Sequence, residues 1–351
     1  MENMTKRALV LGGGGSRGAY EIGVWQALKE MDIKVDIVTG TSVGAINGAA
    51  VLQGDLERAC AIWGNIHTSQ VFDFPDLWKN GGGNYGGLRD LLEAELSEEA
   101  IRSCAVEFGI VTVEFPSMKS KYLWKEDIPK GKMLDYILAS ASCFPAVNGY
   151  EIGEKTYIDG AYADNLPVGM ALEKGATHVI AVDLDSLGRV DNKVLERVEH
   201  LIKIQSPWDL GNFLVFDTEN FRHIKRLGYL DTLKAFGAYD GKYYCFIKGQ
   251  MDRRRLSGAE KAAAIFGLDP EVIYSKEVFL ETLRWAIDAH KNERIDFGNL
   301  GEKGVRTLML ALAHRLKEGG ATRDILLSKP ATFLLDQGIL AAKYLVWAGL
   351  V

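Results

Sequence analysis

The first fifty residues alternate short apolar segments with helical ones, and this order restricts what the chain can fold into. Residues 7–11 (RALVL) are typical of a short buried strand, and residues 19–31 carry apolar side chains at helical spacing. A second short apolar segment at 35–38 is followed by a small-residue helix at 45–53. Strand, helix, strand and helix in succession predict a parallel sheet covered by helices.

The same reading extends to the rest of the chain. Further strands are expected at residues 108–115, 122–124, 155–158 and 178–184, and further helices at residues 133–141 and 167–174. A glycine-rich loop is expected at residues 78–90. After about residue 190 helical periodicity dominates, with helices expected at residues 194–204, 276–292 and 331–351. We therefore predict a catalytic core over residues 6–188 and a mainly helical region of unknown role over 189–351, packed on that core.

Composition and charge exclude several classes of protein. The 351 residues are 47% hydrophobic and 25% charged, which is typical of a soluble globular protein. The net charge of -6, with Lys and Arg scattered along the chain, gives no reason to expect nucleic acid or strong binding to anionic membranes. The four cysteines lie far apart without a C-x-x-C pair, so we expect buried thiols, no disulfide and no metal. The N-terminal apolar run is too short for a signal peptide, which predicts a cytoplasmic protein.

The segment LVLGGGGSRG, residues 9–18, is a glycine-rich turn between a strand and a helix, and such turns present backbone N–H groups to a negative ligand. The spacing Gly13-x-Gly15-x-x-Gly18 fits a dinucleotide fingerprint. That fingerprint also needs an acidic residue at the end of the second strand, whereas Asp36 lies at its start. No Gly-Lys-Ser/Thr follows, which excludes a P-loop. A nucleotide-binding module therefore stays an alternative, and no cofactor is expected.

A second glycine pattern, Gly40-x-Ser42-x-Gly44, lies on the turn between the second strand and the small-residue helix. This is the pattern of a nucleophile elbow, in which a strained serine stands clear of the sheet. Side chains two residues before and two after would collide with the turn, so glycine is required at both positions. We predict that Ser42 is a nucleophile.

A serine nucleophile needs a base and an oxyanion hole. Because loops after successive strands meet at one edge of such a sheet, the amides near Gly13 and Gly15 are expected beside Ser42. None of the six histidines lies in a loop that suggests a base. The better candidate is Asp159 in the segment IDGA directly after a strand, although Asp-Gly is also a common turn. Asp164 and Asn165 are expected to have structural roles, capping the helix that Pro167 begins.

Taken together, these segments resemble the patatin-like phospholipase family. The resemblance rests on GGGSRG at residues 13–18, GTSVGAIN at 40–47, ASASCFPAV at 139–147, and DGA with DNLP between residues 159 and 167. It implies a three-layer α/β/α sandwich with a mainly parallel central sheet, plus a helical C-terminal extension. It also implies a Ser–Asp dyad without histidine and without metal or organic cofactor.

Carried over residue by residue, the resemblance makes Ser42 the nucleophile and Asp159 the base. The amides of Gly13, Gly14 and Gly15 would form the oxyanion hole, and Arg17 matches the family's basic position there. The implied activity is hydrolysis of lipid acyl esters, of the phospholipase A or lysophospholipase type, through an acyl-enzyme.

Several expectations remain open at this stage. A lipid or other acyl ester is the expected partner, with transient contact at a membrane surface and the apolar loop at residues 144–147 lining an acyl pocket. A soluble esterase or thioesterase that acts on small acyl substrates would use the same residues. A catalytically silent scaffold is a further alternative.

Overall fold

The structure is a computed structural model that describes residues 5–71, 86–292, 302–318 and 332–351. The chain divides into two compact units, Met1–Ala235 and Phe236–Val351. Sequence analysis predicted that the core ends at residue 188 and the C-terminal region begins at residue 189, whereas the compact units divide after Ala235. No helix among the described residues is both long enough and apolar enough to cross a membrane.

The first unit is built on a mixed sheet of eight strands. Its strands are β1 Arg7–Leu11, β2 Ile37–Thr41, β3 Glu107–Phe115, β4 Lys119–Trp124, β5 Tyr150–Ile152, β6 Lys155–Asp159, β7 His178–Asp183 and β8 His200–Gln205. Each strand in the path β5-β6-β3-β2-β1-β7-β8 is hydrogen-bonded to the next, and β4 pairs with β3 outside this path. The pairs β3–β2, β2–β1, β1–β7 and β7–β8 are parallel, whereas β4, β5 and β6 join through antiparallel pairs.

Helices cover both faces of this sheet. Those of the first unit are α1 Ala19–Glu30, α2 Val43–Gln53, α3 Leu56–Asn65, α4 Thr68–Val71, α5 Gly86–Glu95, α6 Glu98–Ser103, α7 Met133–Ser140, α8 Val168–Glu173, α9 Asn192–Leu195 and α10 Thr218–Ala235. Two short 3-10 helices, Gly15–Gly18 and Gly160–Tyr162, follow β1 and β6.

Successive side chains of β2 point to opposite faces of the sheet, and their contacts show which helices cover each face. Ile37 packs in a buried cluster with Val168 and Ala171 of α8. The next residue, Val38, faces α2, where a Cβ on Gly48 would lie 3.1 Å from the Val38 side chain. The two helices therefore cover opposite faces of the sheet, which is the predicted three-layer α/β/α arrangement.

The register of β3 determines which strand ends meet. Thr41, the last residue of β2, pairs with Val111 of β3. Asp159, the last residue of β6, pairs with Thr112, which is the next residue of β3. Because β4 occupies the other edge of β3 over these residues, β2 and β6 share one edge and meet end to end. This arrangement brings the residue after Thr41, which is Ser42, next to Asp159.

The second unit has a small sheet and four described helices. Its strands are β9 Tyr239–Asp240, β10 Cys245–Ile247 and β11 Ile273–Tyr274, in the order β11-β10-β9. Its helices are α11 Leu256–Ile265, α12 Lys276–Asn292, α13 Glu302–Lys317 and α14 Thr332–Trp347. Buried aromatic rings of Phe246, Tyr274, Phe279 and Tyr344 contact one another at its core.

Two sequence expectations differ from this fold, and two others agree with it. The helix expected at residues 194–204 is wrong: a four-residue helix, α9, is followed by edge strand β8, which pairs in parallel with β7. The glycine-rich loop expected at 78–90 lies outside the described residues up to position 85, and from Gly86 onward the chain is helical. The terminal helix is described from Thr332 to Trp347, and the helix expected at 276–292 is confirmed.

Candidate active site

Ser42 lies in a sharp turn between β2 and α2. Its backbone has φ 57° and ψ -126°, an unfavourable conformation for a residue with a side chain. Close approach explains the flanking glycines: a Cβ on Gly40 would lie 2.2 Å from the carbonyl oxygen of Gly44, and one on Gly44 would lie 2.3 Å from the carbonyl oxygen of Leu11. The Ser42 amide donates to the Ser140 hydroxyl oxygen at 2.9 Å, which fixes the turn to the end of α7.

The Ser42 hydroxyl donates to a carboxylate oxygen of Asp159, with 2.7 Å between Oγ and Oδ2. The other carboxylate oxygen accepts from the Ala161 amide at 2.8 Å, and the Asp159 amide donates to the Ser142 carbonyl. Both side chains are buried. Burial raises the pKa of the Asp159 carboxyl to about 6, against the lowering effect of the hydrogen bonds from Ala161 and Ser42. The carboxylate is therefore ionised at neutral pH and is a stronger base than an exposed one.

A second potential nucleophile, Cys143, lies on the same cavity wall. Burial, together with the negative charge of Asp159, raises the pKa of the Cys143 thiol to about 11. A thiol reacts as its thiolate, so the Cys143 thiol, which is protonated near neutral pH, is a poor nucleophile there. The Ser42 hydroxyl, in contrast, donates a hydrogen bond to the Asp159 carboxylate.

The glycine loop approaches Ser42 from the end of β1. A Cβ on Gly13 would lie 3.1 Å from the Cβ of Ser42, which shows how close the two backbones come. The Gly13 amide is committed to Asn165, donating to its carbonyl oxygen and to Oδ1, both at 3.2 Å. Within the described ranges, the amides of Gly14 and Gly15 make no hydrogen bond, and both residues line the cavity. Two of the three predicted oxyanion donors are thus available for a ligand, and the third is occupied.

Arg17 is not among the cavity-lining residues, contrary to the expected place in the oxyanion hole. Its guanidinium donates to the carbonyl oxygens of Gly211 at 2.9 Å, Leu184 at 3.2 Å and Asp185 at 2.5 Å. The preceding residue, Ser16, donates through its amide to Phe213 and through its hydroxyl to Asn212. These two residues therefore tie the glycine loop to segments that form the cavity wall.

Asn165 has a role that sequence analysis missed. Neither Asp164 nor Asn165 caps α8: the residue before that helix is Pro167, which supplies no side-chain cap. Instead the Asn165 side chain lies between Gly13 and Ser186, donating to the Gly13 carbonyl at 3.4 Å and to the Ser186 hydroxyl at 3.3 Å. The Asp164 carboxylate accepts from the Leu166 amide at 3.2 Å. The only sequence signal was the position of Asn165 shortly after Asp159.

An apolar cavity of about 460 Å³ is lined in part by Ser42 and Asp159. Among its polar groups are Ser42, Asp159, Asn165 and Ser186. Its apolar lining includes Ile46, Ile62, Trp63, Ile66, Val71, Leu88, Leu91, Leu92, Phe144, Pro145, Ala146, Tyr162, Leu187, Phe213, Leu214 and Phe216. Such a cavity suits an aliphatic chain whose polar end reaches Ser42.

The expected acyl-pocket loop contributes Phe144, Pro145 and Ala146 to this lining, but not Val147.

No histidine is among the described residues that line the cavity. His178 and His200 begin β7 and β8 and stack on each other, and His200 lies on a strand rather than in the expected helix. Over the described ranges, no group of three or more His, Cys, Asp or Glu side chains is arranged to hold a metal ion.

Comparisons with known proteins relate this chain to one family. Residues 9–172 match the family model of the patatin-like phospholipases. The patatin-like phospholipase domain-containing protein ZK370.4 of Caenorhabditis elegans is 32% identical over 190 residues, which are 51% of this chain and 14% of that protein. Lysophospholipase NTE1 of Debaryomyces hansenii is 28% identical over 190 residues, 51% of this chain and 12% of that protein. The aligned part of this chain thus spans about one seventh of these relatives.

A solved structure, that of VipD from Legionella pneumophila, aligns with 99% of this chain and 85% of its own at 12% identity and a TM-score of 0.47. The family assignment rests on the sequence match. Residues 9–172, just under half of this chain, therefore match the patatin-like phospholipase family.

Proposed function

We propose that this chain is a serine acyl hydrolase that cleaves lipid acyl esters with Ser42 and Asp159 as a catalytic dyad. The observation that carries the proposal is the 2.7 Å hydrogen bond from the Ser42 hydroxyl to a buried carboxylate at the floor of an apolar cavity. A hydroxyl, a matched base and unoccupied amides beside them are the three elements that acyl transfer requires.

In the first half of the proposed reaction, Asp159 accepts the Ser42 proton while Oγ bonds to the acyl carbonyl carbon. The developing oxyanion accepts hydrogen bonds from the amides of Gly14 and Gly15. The C–O bond to the alcohol then breaks, and the proton on Asp159 passes to the leaving oxygen. In the second half, Asp159 takes a proton from water while the water oxygen bonds to the acyl carbon. The bond between that carbon and Oγ then breaks, Asp159 returns the proton to Oγ, and the fatty acid and free Ser42 are released.

The proposed substrate class is a lipid acyl ester, of the phospholipase A or lysophospholipase type. Two observations support it: the cavity next to Ser42 is lined mainly by aliphatic and aromatic side chains, and one of the similar proteins is named a lysophospholipase. Such substrates reside in membranes or micelles, so the proposal includes transient contact between the protein and a lipid surface.

Labelling with a fluorophosphonate probe tests the dyad directly. We expect Ser42→Ala to abolish labelling and Asp159→Asn to slow it by roughly 100- to 10,000-fold, the usual contribution of a general base. Cys143→Ala is the matched control, because it removes the other nucleophilic atom on the cavity wall and should leave labelling intact. Labelling that persists in Ser42→Ala, or that depends on Cys143, would contradict the proposal.

Substrate form distinguishes the proposal from a small-molecule esterase. A lipid hydrolase should turn over a long-chain lysophospholipid faster above its critical micelle concentration than below it. An esterase for small acyl groups would show no change at that concentration and would prefer short chains.

A further inference from the structure

The two amides proposed as oxyanion donors are held in place by different parts of the chain. In a planar trans peptide the N–H and the C=O point in opposite directions, so a group that holds the carbonyl oxygen also fixes the direction of the amide. The Gly14 carbonyl accepts from the Arg17 amide at 3.1 Å, at the start of the 3-10 helix that follows β1. This local bond orients the peptide whose N–H belongs to Gly15.

The peptide that carries the Gly14 amide is held by side chains from distant segments instead. It is trans, and its carbonyl oxygen, that of Gly13, accepts from the Ser186 hydroxyl and from the Asn165 side chain. These contacts span 173 and 152 positions of sequence. Among the residues that the structure describes, the Gly14 amide has no hydrogen-bond acceptor, and Gly14 lines the cavity.

The Ser186 hydroxyl is the principal donor to the Gly13 carbonyl. The Asn165 contact with that oxygen is 3.4 Å, which is long for a hydrogen bond. Asn165 also donates to the Ser186 hydroxyl oxygen at 3.3 Å, so this hydroxyl accepts on one side and donates on the other. A hydroxyl carries a single proton, and that of Ser186 is committed to Gly13.

The turn after β7 brings Ser186 to the glycine loop. Because β7 is the parallel neighbour of β1, the turns that follow these two strands lie side by side. The Arg17 guanidinium donates to the carbonyl oxygens of Leu184 and Asp185, which directly precede Ser186. Asp185 has a φ of 48°, an uncommon conformation that reverses the chain at this point. The position of Ser186 is therefore fixed by the fold.

We propose that Ser186 is a positioning residue of the oxyanion hole. By holding the Gly13 carbonyl, its hydroxyl directs the Gly14 N–H towards the oxygen that becomes negative when Ser42 attacks an ester. This role rests on the proposed function and adds to it the group that orients one of the two donors. Ser186 lines the cavity, so direct contact with the substrate is the role that the experiments must separate from positioning.

Steady-state kinetics on a monomeric ester, p-nitrophenyl butyrate, tests the positioning role. Removal of one oxyanion donor costs roughly 100- to 1,000-fold in kcat. Because Asn165 still contacts the Gly13 carbonyl, we expect Ser186→Ala to lower kcat by about 10- to 100-fold with little change in KM. Ser186→Thr keeps the hydroxyl and should recover most of the lost kcat.

Ser117→Ala is the matched control. The Ser117 hydroxyl also donates to a backbone carbonyl, that of Glu114 at 3.2 Å, but Ser117 is exposed and is not among the described residues that line the cavity. This variant should keep the kcat of the parent chain. Thermal melts of all three variants show whether each one folds as the parent does.

A tetrahedral analogue separates positioning from a loss of binding. Ser42 Oγ adds to the carbonyl carbon of an alkyl trifluoromethyl ketone, its proton passes to Asp159, and the ketone oxygen becomes an oxyanion. In Ser186→Ala the inhibition constant of this ketone should rise by the same factor as kcat/KM falls, because both depend on the oxyanion donors. Inhibition by a free fatty acid should be unchanged, since it requires no oxyanion at Ser42.

Crystal structures of the parent and Ser186→Ala chains give a readout that needs no turnover. We expect one orientation of the peptide between Gly13 and Gly14 in the parent, and a rotated peptide or two orientations in the variant. A parent that shows this difference but hydrolyses no ester would remove the proposed function and leave the orientation of Gly14 by Ser186 in place.

Four results would overturn the positioning role while leaving the dyad in place. They are full kcat in Ser186→Ala, an equal loss of kcat in Ser186→Thr, a rise in KM alone, and an unchanged peptide orientation in Ser186→Ala.

Discussion

The Asp159 carboxyl is buried, which favours its protonated form, yet it must be ionised to accept the Ser42 proton. Burial raises its pKa to about 6, and the amide of Ala161 and the hydroxyl of Ser42 limit that rise. A base is most effective when its pKa is high but still below the working pH. The environment of Asp159 therefore places its pKa in the range of a histidine side chain, the usual base of serine hydrolases.

The pH dependence of acylation follows from this pKa. The rate of fluorophosphonate labelling should be half-maximal near pH 6 and constant from about one pH unit above it, where the carboxylate is ionised. From about one unit below pH 6 the rate should fall by about tenfold for each further pH unit, because only the ionised fraction accepts the proton. Stopped labelling reactions between pH 4.5 and 8 would measure the midpoint.

A neighbouring carboxyl supplies the control for that experiment. Burial also raises the pKa of Asp164 to about 6, although its carboxylate bonds to the Leu166 amide and not to Ser42. Asp164→Asn should therefore leave the midpoint near pH 6. If the midpoint disappears in Asp164→Asn, the titrating group has been assigned wrongly.

At the scale of elements, Ser42 and Asp159 are positioned by two strands that end against each other along β3. Sequence analysis expected the proximity of Ser42 and Asp159 because loops of a parallel sheet meet at one edge. The strand that ends in Asp159 is in fact antiparallel to β3, and the two residues meet because Thr41 and Asp159 pair with consecutive residues of β3. The elbow could be predicted from local spacing, but this register is a long-range property.

Long-range contacts also explain why sequence analysis missed the roles of Asn165 and Arg17 and predicted one helix wrongly. Asn165 bonds to Gly13 across 152 positions of sequence, and Arg17 bonds to Gly211 across 194. Nothing local to either residue specifies such partners. The helix expected at 194–204 failed because apolar residues at 194, 198 and 201 match a helical period, whereas pairing with β7 determines the strand β8.

The contact between Asn165 and the glycine loop gives a prediction at this scale. Asn165→Ala removes the side-chain acceptor of the Gly13 amide and the donor to its carbonyl, so the neighbouring amides of Gly14 and Gly15 lose their support. We expect kcat to fall by about 10- to 100-fold with little change in KM. Misplaced donors stabilise the transition state less well, whereas they have little effect on substrate binding.

Asn65→Ala is the matched control for this variant. The Asn65 side chain also donates to a backbone carbonyl, that of Ala61, but it does not line the cavity. It should change kcat by less than about twofold, as expected for a surface substitution. A rise in KM alone for Asn165→Ala would indicate that Asn165 contacts the substrate and does not position the loop.

At the scale of the whole molecule, the described residues divide into two compact units, and the candidate site lies in one of them. Every described residue that lines the cavity falls between Gly13 and Phe216, within the unit Met1–Ala235. The hydrogen bonds that hold Ser42, Asp159 and the glycine loop also begin and end in that unit. The unit has its own eight-stranded sheet with helices on both faces, which is the content of an independently folding domain.

A fragment of residues 1–235 should therefore react with the fluorophosphonate probe at a rate close to that of the full chain. The rate of labelling, measured beside a thermal melt of each protein, separates chemistry from folding. The same fragment with Ser42→Ala should melt similarly and remain unlabelled. A fragment that melts cooperatively yet resists labelling would show that residues 236–351 contribute directly to the site. A fragment without a cooperative transition would show that the first unit needs the second to fold, and that its own sheet and helices bury too little apolar surface to be stable alone.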